Sequence, residues 1–202
     1  EHEEKKIILQ WNIQKDKKLI LLPGRLTSWK GQEMFIEALN LVNQELKQEV
    51  FNAVILGDAQ GRDVYKKKLL RLVEQYRLNK QVKFVDHCKH MPLAYKISNL
   101  VVSSSIEPEA FGRVSVEAQS MEKLIIASNI GGSNETIIND KTGLLFESGK
   151  PKSLSQKIIE ALKLNDSTLK IMGNEGRKNV IKKFNIEKMC FSTYSEYKKL
   201  IN

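Results

Sequence analysis

A chain of 202 residues, 41% apolar and 28% charged, has the make-up of one ordinary globular domain and excludes a disordered or fibrous protein. Its net charge of +9 favours anionic partners such as phosphates or acidic lipid, and Lys-rich solvated helix faces account for the same excess equally well. No apolar run approaches the roughly 20 residues a membrane-spanning helix needs. The opening Glu-His-Glu-Glu-Lys-Lys is no signal peptide, and the two distant cysteines, Cys88 and Cys190, match no disulfide or metal framework and fit a reducing cytoplasm.

Residues 1–15 are charged and weakly patterned, which predicts a tail or the remnant of an interdomain hinge; residues 16–202 form the domain. Residues 19–22 read as a first strand. Met34, Phe35, Ala38, Leu39, Val42 and Leu46 then recur at helical spacing. A second strand is predicted over 51–56, a helix over 64–76, a third strand over 82–85 and a short helix over 91–97 opened by Pro92. A fourth strand spans 100–102, a helix 114–121, and a fifth strand 124–127. Gly131 and Gly132 break the chain before a short helix at 135–138, and 142–146 reads as a sixth strand. Helices fill 152–164, 167–183 and 186–200. Met189, Tyr194, Tyr197 and Leu200 give the last one an apolar stripe expected to be exposed. Strand–helix alternation of this kind predicts an α/β fold, a Rossmann-like, doubly wound parallel sheet of about six strands. Ligands on such sheets bind beyond the carboxyl ends of the strands.

Two segments directly after strands carry chemistry. Leu-Pro-Gly-Arg-Leu-Thr-Ser-Trp-Lys-Gly at 22–31 follows the first strand and precedes a helix, the layout of a phosphate site. Arg25 offers a planar fork and Lys30 a mobile point charge to phosphate oxygens. Gly24 and Gly31 suit a tight turn or close phosphate approach. The loop has neither the dinucleotide fingerprint nor the P-loop pattern. Glu-Pro-Glu-Ala-Phe-Gly-Arg-Val-Ser-Val-Glu at 107–117 is a loop running into a helix start, where backbone N–H groups favour anions. Glu109 and Glu117 there can accept hydrogen bonds from sugar or ribose hydroxyls.

Gly24-Arg25 with Lys30-Gly31, then Glu109 to Glu117, then Gly131-Gly132-Ser133-Asn134-Glu135, then Gly143-Leu144-Leu145-Phe146, resemble the nucleotide-sugar half of a group 1 (family 4) glycosyltransferase. The likeness covers roughly residues 15–200. It implies the C-terminal half of a GT-B fold, two Rossmann-like domains facing across a cleft. It implies retaining hexosyl transfer from a nucleotide diphosphate sugar, of the GDP-mannose or UDP-glucose type, to a glycan or lipid-linked acceptor. No metal or cofactor is expected.

By the same resemblance Arg25, Lys30 and Glu109 are catalytic: the two cations hold the leaving diphosphate, and Glu109 positions the donor sugar. Glu117 anchors the ribose. Gly24, Phe111, Gly112, Arg113 and Val114 complete the donor site, and backbone groups near Val85 and His87 read the base. The Gly57-Asp58-Ala59 and Asp86-His87 segments depart from the family's pattern. A comparable N-terminal, acceptor-binding domain is also implied; none precedes residue 15, so the chain is expected to be an excised donor half that turns over little on its own. The rival readings are a non-catalytic nucleotide-sugar-binding module and an epimerase or phosphorylase of the same fold.

The remaining signals read as structural. His87, Cys88 and His90 lack a fourth ligand for zinc. The serines at 103–105 and Ser133 have no activating base and read as turns. Lys66, Lys67, Lys68 and Arg71 read as a solvated face, with peripheral contact to an anionic membrane, at the inner face, compatible with the charge. No aromatics interleave with them, which argues against nucleic acid.

Overall fold

The computed structural model describes residues 2–47 and 50–201. In chain order its elements are α1 (His2–Gln10), β1 (Lys18–Pro23), a 3-10 turn (Ser28–Lys30), α2 (Gln32–Leu46), β2 (Phe51–Leu56), α3 (Asp63–Gln75), β3 (Val82–Val85), α4 (Met91–Ile97) and β4 (Leu100–Ser103). There follow α5 (Arg113–Ser120), β5 (Leu124–Ser128), α6 (Ser133–Thr136), β6 (Gly143–Phe146), α7 (Pro151–Lys163), α8 (Asp166–Lys183) and α9 (Ile186–Ile201).

The six strands form one parallel sheet in the order β3-β2-β1-β4-β5-β6. Both faces are covered, so the strands carry continuous apolar runs instead of alternating ones. On β1, Ile20 and Leu22 join the core under α2 and α7, and Leu19 and Leu21 join the core on the opposite face with Ala94, Tyr95 and Ala118. Strand order reverses between β1 and β4. The loops leaving these two neighbouring strands diverge to opposite faces and open a crevice at their carboxyl ends. Those loops are the ones that carry Arg25, Lys30, Glu109 and Glu117.

Residues 2–14, expected as a tail or the remnant of an interdomain hinge, are ordered and packed on the domain. They form α1 and a short return that docks against α4 and β2. Glu4 pairs with Lys96 at 2.6 Å, and Ile7 and Ile13 pack on the second core. Trp11 is only 6% exposed, and the Gln14 N–H donates to Asn52 Oδ1 at 3.2 Å while Asn52 Nδ2 donates back to the Gln14 carbonyl at 2.9 Å. The anchoring side chains are few and most lie near or beyond the helix end, so no helical period announces them. The helix after the Gly131-Gly132 break also begins earlier than predicted, at Ser133. On α9, Met189, Tyr194, Tyr197 and Leu200 are exposed, as their spacing predicts.

Candidate active site

A cleft of about 520 Å³ lies at the β1/β4 switch point, a size within the roughly 300–1,000 Å³ usual for small-ligand sites. Gly24, Arg25 and Lys30 form one wall; Glu109, Phe111, Gly112, Arg113, Val114 and Glu117 form another. Trp29, Met91 and Tyr95 complete it. Three cations and two carboxylates therefore share one concave surface.

Lys30 Nζ sits 2.7 Å from Glu109 Oε1 and 4.5 Å from the centre of the Trp29 ring. Both ends of that ion pair are mostly buried, at 15% and 18% exposed. An ammonium carries three donors, so the Glu109 contact leaves two for a second anion. Arg25 is exposed, and its guanidinium forms no ion pair among the described residues; its carbonyl is fixed by Gln32 Nε2 at 2.8 Å. The opposite wall is the start of α5. Gly112 takes a left-handed conformation at φ 74°, and no side chain caps the helix. The first backbone N–H groups of α5 therefore face the cleft uncapped, beside the cationic pair.

The loops are held by close backbone contacts. A Cβ on Gly31 would lie 1.9 Å from the Ser104 carbonyl oxygen, so the Lys30 loop meets the end of β4 with no room for a side chain. Ser104 Oγ donates to the carbonyls of Lys30 at 2.9 Å and Gly31 at 3.2 Å, and Ser105 Oγ donates to the Glu109 carboxylate. A Cβ on Gly132 would lie 2.5 Å from the Phe111 backbone, and the Gly132 N–H donates to the Glu109 carbonyl at 2.8 Å. The double glycine is thus a buttress beneath the Glu109 loop. From behind, α8 presses on α5 through Gly176, against Gln119, and on the turn after α5 through Gly173, where a Cβ would lie only 2.1 Å from the Glu122 carbonyl oxygen.

The model of the glycosyl transferases group 1 family matches residues 3–179. The chain belongs to the group 1 glycosyltransferases. It superposes with a TM-score of 0.92 and 32% identity on the crystal structure of a glycosyltransferase from Rickettsia africae ESF-5, covering 100% of this chain and 52% of that one. The C-terminal domain of LpcC, a group 1 family protein from Francisella tularensis, matches with a TM-score of 0.76 and 28% identity over 88% of this chain and 92% of that domain. The capsular polysaccharide biosynthesis glycosyltransferase CapM of Staphylococcus aureus is 28% identical over 161 residues, which is 80% of this chain and 40% of CapM. The chain spans about half the length, or less, of the curated relatives it matches. Its sheet and connectivity fit the C-terminal domain of a GT-B glycosyltransferase.

Several residues of the cleft and its loops were not expected from the sequence. Trp29, Met91 and Tyr95 line the cleft, and the serines read as turns hold both active loops. Tyr95 is 2% exposed and its phenol donates to Glu117 Oε2 at 2.8 Å; Arg113 Nη2 donates to Glu117 Oε1 at 2.9 Å. Burial, then the Glu117 charge, pushes the Tyr95 phenol well above the ordinary phenol range. Three buried serines in a row at a strand end were the available signal for the loop pins; nothing in the local pattern marks Tyr95.

Val85 and His87 are not among the residues that line the cleft. The Val85 carbonyl accepts the Gly57 N–H at 2.8 Å, His87 is exposed, and Asp86 between them pairs with Lys66 at 2.5 Å. Asp58 accepts the Gln60 N–H at 3.0 Å and shapes its own turn. Among the described residues, no group of three His, Cys, Asp or Glu side chains is placed to hold a metal ion, and no helix is long and apolar enough to cross a membrane.

Proposed function

We propose that this chain binds the donor for a retaining transfer of a hexose from a nucleoside diphosphate sugar to a glycan or glycolipid. The observation that carries the reading is the meeting of Arg25, Lys30 and the uncapped α5 start with the two carboxylates in one cleft. The cations and helix amides match a diphosphate, and the carboxylates match hydroxyls on either side of it.

In this reading the diphosphate lies across the start of α5. The bond between the anomeric carbon and the diphosphate oxygen breaks, and its electron pair stays with the diphosphate. Arg25 and Lys30 take up the charge that develops there, which is the largest service a protein gives to such a departure. Glu109, held by Lys30 and Ser105, accepts hydrogen bonds from the sugar hydroxyls. Glu117 accepts those of the ribose, and the base extends past Met91 towards residues 85–90. The acceptor hydroxyl oxygen forms the new glycosidic bond, and its proton passes to the departing diphosphate oxygen. A second domain of the whole protein holds the acceptor, which the greater length of the relatives supports. The printed role of CapM supports a polysaccharide product. Two free cysteines suit a cytoplasmic site of action.

Calorimetric titration with UDP-glucose, UDP-N-acetylglucosamine and GDP-mannose tests the reading. Selective binding that is lost in Arg25→Ala and in Glu117→Ala is the expected result. Binding indifferent to both substitutions contradicts it.

A further inference from the structure

We propose that Tyr95 is a positioning residue of the donor cleft: its phenol fixes the Glu117 carboxylate so that its free lone pairs meet the two neighbouring hydroxyls of a ribose. The inference rests on the reading of Glu117 given above and adds a residue that no motif marks.

Glu117 has two partners of opposite character. Arg113 lies one helical turn before it and is 84% exposed, so that pair is a mobile surface contact of small value. Tyr95 comes from a different element, α4, and is 2% exposed. Its ring is packed in the core with Ala94, Val101 and Ala118, and its hydroxyl reaches Glu117 Oε2 at 2.8 Å. A buried tyrosine is locked by its packing, whereas a glutamate on a helix surface has three torsions to lose when it is held in one pose. The rigid partner therefore sets the pose of the flexible one.

The stoichiometry of the carboxylate points to a diol. An ionised carboxylate offers about four lone-pair sites. Tyr95 takes one on Oε2 and Arg113, while paired, one on Oε1, which leaves at least one on each oxygen. Two adjacent hydroxyls, as in ribose, match that pair. The phenol is also a dependable donor, because burial and the nearby charge keep it protonated. Further back, α4 is itself held by α1 through the Glu4–Lys96 pair and the packing of Ile7. The chain of support thus runs from the N-terminal helix through Tyr95 to the ribose anchor.

The test compares UDP and GDP with their 2′,3′-dideoxy counterparts, titrated calorimetrically into the full chain and into Tyr95→Phe and Glu117→Gln. Wild type prefers the ribose form, and Glu117→Gln loses that preference. Tyr95→Phe keeps the ring, so it leaves affinity for the dideoxy form within about twofold and weakens the ribose form about five- to tenfold. Equal weakening of both forms by Tyr95→Phe, or an unchanged preference, overturns the proposal while leaving the Glu117 reading intact. Loss of a cooperative melt in Tyr95→Phe assigns the phenol to folding and overturns it too. A wild type with no preference, a preference that survives Glu117→Gln, or no nucleotide binding at all, refutes the reading of Glu117 itself.

Discussion

Gly31 and Gly61 make a matched pair for measuring what the close approach of the two active loops costs. Both are left-handed, at φ 70° and 80°, so alanine at either meets the same backbone strain, about 1 kcal/mol. Either substitution also restricts the unfolded chain, which returns roughly 0.4–1 kcal/mol. A Cβ on Gly61 meets nothing within 4 Å, so Gly61→Ala is expected to change stability by no more than about 1 kcal/mol. A Cβ on Gly31 lands 1.9 Å from the Ser104 carbonyl oxygen and 2.9 Å from its carbon. One loop must retreat by about 1.5 Å to restore ordinary contact. Overpacking of that kind costs about 1–3 kcal/mol, and the retreat pulls the single Ser104 hydroxyl proton off the Lys30 and Gly31 carbonyls that share it, at about 1 kcal/mol in all. Gly31→Ala is therefore expected to be about 2–4 kcal/mol less stable than Gly61→Ala, a large share of the roughly 5–15 kcal/mol typical of a domain. Urea unfolding of the two variants reads the difference directly. A gap below about 0.5 kcal/mol would refute the claim that backbone contact, and not side-chain chemistry, sets the spacing of the loops.

Lys30→Ala is expected to raise the Kd for UDP or GDP at least about tenfold, and the loss should shrink as salt is added; calorimetry at two ionic strengths checks both. Trp11→Ala should destabilise the fold by about 3–5 kcal/mol in urea melts, because Trp11 fills the core between α1 and the sheet; a change near zero would return residues 2–14 to the status of a tail. Tyr95 gives a pH dependence. Its folded-state phenol titrates above its unfolded one, near 10, so the unfolded state releases the proton first and stability falls as pH rises above about 10, by at most roughly 1.4 kcal/mol per pH unit. Stability curves of wild type and Tyr95→Phe at pH 9, 10 and 11 should diverge, with the variant flatter.

The sheet was legible because parallel strands buried on both faces leave short unbroken apolar runs, such as residues 19–22 and 51–56, between helical periods. The two active loops were legible for a related reason: each follows a strand directly and carries charge where a core segment would not. What stayed hidden depends on contacts between distant segments. Trp11 and Ile13 anchor the N-terminus as single residues, which no periodicity reveals. The Tyr95 phenol meets Glu117 only because α4 and α5 contribute to the same apolar cluster on one face of the sheet. Gly132 reads as a chain break in the sequence, and its role as a buttress appears only when the Phe111 backbone is seen packed against it.

A nucleoside diphosphate sugar is proposed to lie between the β1 loop and the start of α5. Backbone amide shifts recorded by NMR while UDP-glucose, UDP-N-acetylglucosamine or GDP-mannose is added test it most directly. The account predicts that the shifts concentrate at Gly24, Arg25, Lys30 and residues 111–114, and that Arg25→Ala abolishes them at the same concentration. Shifts that gather elsewhere, for example around Gly61 and Arg62, or saturating binding that leaves the α5 start unmoved, would contradict it.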